Sequence, residues 1–155
     1  MTSRVVDPEL RTGWDDEPIL TVINKRNESI RLVLEFVTSP EGKGKAARWS
    51  RVVFNVVWYY RWIEADVGYE PDNPDDFEFA LIEITDSALV QDFLARGRWP
   101  SDNGAADPRM ILGPDPVRHF RIGFDDHGTY DVLCGDIHVE RNVGTRSERG
   151  SVSHR

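Results

Sequence analysis

Arg51-Val52-Val53-Phe54-Asn55-Val56-Val57-Trp58-Tyr59-Tyr60-Arg61-Trp62-Ile63 is the stretch on which the reading of this chain turns. At period two, Val52, Phe54, Val56, Trp58, Tyr60 and Trp62 fall on one face and Val53, Asn55, Val57, Tyr59, Arg61 and Ile63 on the other. A run this apolar on both faces also suits a buried helix, so periodicity alone leaves both readings open. β-Branched and aromatic residues dominate it, and they favour a pleated surface, so a long central strand is predicted. Upstream, Ile19-Leu20-Thr21-Val22-Ile23 and the alternating run Ile30 to Val37 flank a polar break at Asn24 to Ser29, which predicts a hairpin.

Downstream, Phe77 to Ile84 resumes as a strand after an acidic, proline-bearing loop from Gly68 to Asp76. Asp86 or Ser87 is placed to cap a helix over Ala88 to Arg96, with Gly97 as its stop. Arg98 to Val117 is rich in proline and glycine and reads as a long loop. Phe120, Ile122 and Phe124 alternate up to Asp125-Asp126-His127-Gly128, a turn whose glycine supplies the positive φ, and Thr129 to Cys134 returns, extended by Ile137 and Val139. The predicted class is α+β: a twisted antiparallel sheet of about six strands, free to curl toward a barrel, with one main helix. Residues 1–16 are expected to form an extended arm, 17–140 a single β-rich domain, and 141–155, dominated by Gly, Ser, Arg and Glu, a disordered tail.

A chain of 155 residues can bury about two-thirds of its unfolded surface without staples. Its lone cysteine, Cys134, allows no internal disulfide and reads as a small core residue. The opening residues lack the apolar core of a secretory signal, and no apolar run reaches membrane-span length, so a cytoplasmic setting is expected. The net charge is −8, unevenly spread. Between Trp62 and Ala95 stand ten acids, Glu64, Asp66, Glu70, Asp72, Asp75, Asp76, Glu78, Glu83, Asp86 and Asp92, with no Lys or Arg. Such a segment repels nucleic acid and anionic membranes and attracts basic proteins.

Several groups of residues carry candidate chemistry. His119, Asp125, His127 and Asp131 are of the types that bind a divalent metal. Their spacing opposes it: His119 and His127 flank a strand and would stand roughly 25 Å apart at about 3.3 Å per residue. No metal and no cofactor are therefore expected. Ser87 and Cys134 lack the glycine-rich elbow of a nucleophile, so no catalytic residues are assigned. Glu35, Glu83 and Asp131 interrupt apolar strands and read as acids on exposed faces. Trp58, Tyr60 and Trp62 could line a ligand pocket, while Tyr59 and Arg61, opposite them, are the types enriched in protein contacts.

The segment His119-Phe120-Arg121-Ile122-Gly123-Phe124-Asp125-Asp126-His127-Gly128-Thr129-Tyr130-Asp131-Val132 resembles segments of small uncharacterised bacterial proteins. As a short, acidic, Trp-rich chain the whole is similar in style to bacterial immunity proteins, without a motif specific to one immunity family. The acidic segment beside an aromatic strand, with no catalytic constellation, points to a non-enzymatic, immunity-like partner for a basic protein such as a nuclease toxin. Tyr59, Arg61, Glu64, Asp66, Glu70, Asp72, Asp75 and Asp76 are the expected contacts. Two alternatives stand beside it: a small-molecule or accessory domain using the Trp58-Tyr60-Trp62 face, and a metal-dependent enzyme at His119.

Overall fold

Alternating apolar residues draw the chain into successive antiparallel pairs. β2 (Ile19–Ile23) and β3 (Arg31–Ser39) form the first hairpin, with Ile19 opposite Glu35, Ile23 opposite Arg31, and Asn27 in the turn at φ 67°. β4 (Arg48–Ile63) pairs along β3 on one side and along β7 (Gly128–Thr145) on the other. β6 (Arg118–Phe124) pairs with β7, β5 (Leu81–Ile84) with β6, and β1 (Ser3–Val5) with β5. The helix α1 (Ala88–Arg96) follows β5. The structure, a computed structural model of the chain, describes residues 2–10, 12, 17–39, 48–64, 80–96, 116–124 and 127–145.

Among the described residues the sheet has seven strands in the order β1-β5-β6-β7-β4-β3-β2, all antiparallel. The expectation of about six strands is corrected by β1, whose three residues are too few to display a period and which forms because β5 offers a free edge. The sheet does not close into a barrel: β1 and β2 are its two edges and do not pair. It does curl. Phe36 on β3 and Phe124 on β6 meet at 5.2 Å between ring centroids although two strands lie between theirs, a separation of about 14 Å in a flat sheet. β7 also runs past the expected boundary at 140, because Gly144 and Thr145 pair with Trp49 and Arg48.

The curled inner face holds the main core, formed by Leu32, Leu34, Phe36, Val52, Phe54, Val57, Leu81, Phe120, Ile122, Phe124, Val132 and Cys134. Leu10, fully buried, completes it, and the Thr12 hydroxyl donates to the carbonyl of Gly123. Arg141 on β7 reaches Asp7 at 3.2 Å, so the segment after β1 lies across the inner face and is pinned at both sides. Burial pushes the Cys134 thiol up to about 12, the state of a core residue.

The two-face assignment of β4 needs correction. Val52 and Phe54 face the core as predicted, but Val56 adopts φ 54° and Val57 takes the core position instead. The register against β7 then shifts between Val57 and Tyr59, leaving Trp58 as the extra residue of a bulge. The two shifts cancel, so Tyr60 lies opposite Val132 and Trp62 opposite Tyr130, on the inner face.

Candidate functional site

The strand ends and the outer face carry the polar chemistry. β6, β7 and β4 bring Arg121, Asp131 and Arg61 into one row, since Arg121 and Arg61 both lie directly opposite Asp131. Asp131 has no exposed surface. Its carboxylate accepts from Arg121 Nε at 2.6 Å, Arg121 Nη2 at 3.0 Å and Arg61 Nε at 2.9 Å. His119, one diagonal step away, stands with Nε2 at 2.9 Å from Asp131 Oδ1. Burial alone would raise the Asp131 pKa, but the His119 and Arg121 hydrogen bonds and charges outweigh it and hold the carboxyl well below its usual range.

An ionised carboxylate only accepts, so His119 Nε2 carries the hydrogen. In the tautomer with the hydrogen on Nε2, Nδ1 accepts, and the Ser87 hydroxyl stands 2.7 Å from it. Ser87 is buried and caps α1, its Oγ accepting from the Val90 N–H at 3.0 Å. The order hydroxyl, imidazole, carboxylate is that of an activated nucleophile. Here Ser87 and His119 are buried, the carboxylate is shared with two guanidiniums, and the hydroxyl at once faces His119 and caps the helix. The chain Ser87–His119–Asp131 therefore docks α1 on the outer face of the sheet.

Glu83 repeats the pattern. It accepts from Arg118 Nε and Arg4 Nε, each at 2.7 Å, and the Arg118 hydrogen bond, opposed by burial and helped by Arg4, lowers its pKa. Reading Glu83 and Asp131 as exposed acids is thus corrected: both are buried, because arginines on neighbouring strands satisfy them. Arg118 also lies 4.8 Å from the Phe120 ring centroid.

The aromatic stripe divides. Trp58 is buried at 8% exposure, whereas Tyr60 and Trp62 are exposed at 42% and 53%. Trp62 lies over the β6–β7 turn, donating from Nε1 to the His127 carbonyl at 2.8 Å. Gly128 sits beneath it at φ 81°, where a Cβ would stand 2.5 Å from that nitrogen, so only glycine fits both the turn and the indole. Tyr59 is half-buried in the row of Leu133 and His119, and Arg61 is spent on Asp131 while its side chain stays 42% exposed. The exposed pair at the end of β4 is therefore Tyr60 and Trp62.

Glu64, next along the chain, is exposed. Asp66, Glu70, Asp72, Asp75, Asp76 and Asp125 lie outside the described residues. Of the candidate metal ligands the structure brings His119 and Asp131 together and engages His127 through its backbone. Among the described residues no three His, Cys, Asp or Glu side chains gather as a metal site would require. No helix among them is long and apolar enough to cross a membrane.

Comparison with known proteins supplies no relative: no family model, curated protein or solved structure matches the chain.

Proposed function

We propose that this chain is a non-enzymatic, immunity-like bacterial binding protein that meets a basic protein partner with Tyr60, Trp62 and the acidic segment that follows them. The observation that carries the reading is the pair of large aromatics left open to solvent at the end of β4, immediately before a stretch of ten acids that holds no Lys or Arg, of which Glu83 is paired with arginines from elsewhere. Exposed Tyr and Trp supply contact area at small entropic cost, and one-signed charge supplies steering. The buried polar groups support the same reading, because Asp131, Glu83, His119 and Ser87 are engaged in holding strands and helix together.

The test is affinity capture from a lysate of the native host, comparing wild type with Tyr60→Ser/Trp62→Ala and with Asp72→Lys/Asp75→Lys/Asp76→Lys. A basic protein retained by wild type, released as salt rises and lost with both variants supports the proposal. Retention of the same protein by both folded variants, or of no basic protein by wild type, overturns it.

A further inference from the structure

The two edges of the sheet are built differently. β1 is three residues long, and its Arg4 is paired with Glu83, so it offers little to a passing strand. β2 is five residues of Ile-Leu-Thr-Val-Ile with no charge, no proline and no bulge, and among the described residues no strand pairs with its outer side. Ile19 is 44% exposed and Val22 45%. An uncharged apolar edge of this kind is a template for another strand unless something covers it.

We propose that a second copy of this chain covers it, the two β2 strands pairing antiparallel about a two-fold axis through Thr21. The sequence is self-complementary about that residue. Ile19 meets Ile23 of the second copy and Leu20 meets Val22, each contact made twice as an isologous interface requires, and Thr21 meets itself once on the axis. Two residues beyond each end of the apolar core, Glu17 meets Lys25 of the second copy, so opposite charges close the register at both ends.

The backbone agrees with this register. Residues of a strand alternate in directing their N–H and C=O groups toward one neighbour or the other. Pairing about Thr21 joins only residues of like parity, 19 with 23 and 20 with 22, so the groups that β3 leaves unused on one copy face those left unused on the other. Side chains agree too. Leu20 and Val22 lie opposite Leu34 and Leu32, on the inner face, and Leu20 packs against the core. The exposed Val22 would thus be covered by Leu20 of the second copy, making the two inner faces continuous.

The experiment is sedimentation equilibrium of the full chain over a concentration series reaching hundreds of micromolar, with far-UV circular dichroism of each variant. Wild type is expected to associate reversibly to a dimer and Val22→Lys to remain a folded monomer throughout. Glu17→Lys and Lys25→Glu should each weaken the dimer by about threefold to tenfold, the scale of exposed ion pairs made twice. Glu17→Lys/Lys25→Glu together should restore it, because the charges then oppose one another in exchanged positions. A wild type that stays monomeric, or a dimer untouched by Val22→Lys, overturns the interface. A double variant no tighter than either single one overturns the register. All of these outcomes are independent of the contacts proposed for Tyr60 and Trp62.

Discussion

A carboxylate with no exposed surface persists in this fold because Arg61, Arg121 and His119 surround it. Removing its charge leaves two guanidiniums facing an amide, so Asp131→Asn is expected to destabilise by about 3–5 kcal/mol in urea unfolding. Ser87→Ala should cost about 0.5–2 kcal/mol through the lost cap. Because folding depresses the Asp131 pKa, its contribution is present above the unfolded value of about 4 and is lost as pH falls below it toward the folded value. The wild-type unfolding midpoint should therefore fall steeply below about pH 4, and Asp131→Asn should flatten that dependence; equal slopes for the two proteins would contradict the role given to Asp131. Part of this arrangement was legible. Reading Asp125 to Gly128 as the whole turn sets Arg121 one residue off, opposite Val132; with Phe124 paired to Gly128 it faces Asp131. What the count lacks is burial: Ser87, from outside the strands, reaches the same face at His119, and a strand's own alternation does not say what a distant segment will bring to it.

At the scale of the element, β4 shows what period two can and cannot supply. Residue type correctly gave a strand rather than a helix, and alternation placed Val52 and Phe54 in the core. It failed at Val56, where a β-branched residue takes φ 54° and the phase slips, and again at Trp58, the extra residue of the bulge. Both shifts arise in pairing with β7, whose own phase slips between Cys134 and Ile137, so neither is written in β4 alone. Positive φ strains a branched side chain, hence Val56→Gly should cost about 1–2 kcal/mol less than Val53→Gly by thermal or urea unfolding. Equal costs would mean that Val56 carries no strain. Trp58→Ala should cost about 3–5 kcal/mol as a buried aromatic, whereas the exposed Tyr60→Ser should stay within about 1 kcal/mol.

Across the whole molecule the inner core draws on β3, β4, β7, β6 and β5, and that curl was only half legible: strand propensity gave a twisted antiparallel sheet, but the seventh strand and the open edges depend on which segments meet. The charge asymmetry, in contrast, is plain from composition, since the ten acids between Trp62 and Ala95 exceed the net charge of −8 and leave the remainder slightly basic. An aromatic contact and a charged approach act on different rates, because short-range packing governs dissociation and long-range charge governs encounter. The most direct test of the binding account is therefore a measurement of both rate constants for the captured basic partner on immobilised protein. Trp62→Ala should speed dissociation by at least about tenfold with little change in association. Asp72→Lys/Asp75→Lys/Asp76→Lys should slow association, most strongly at low salt, with dissociation nearly unchanged. Rate constants equal to wild type in both folded variants would contradict the account.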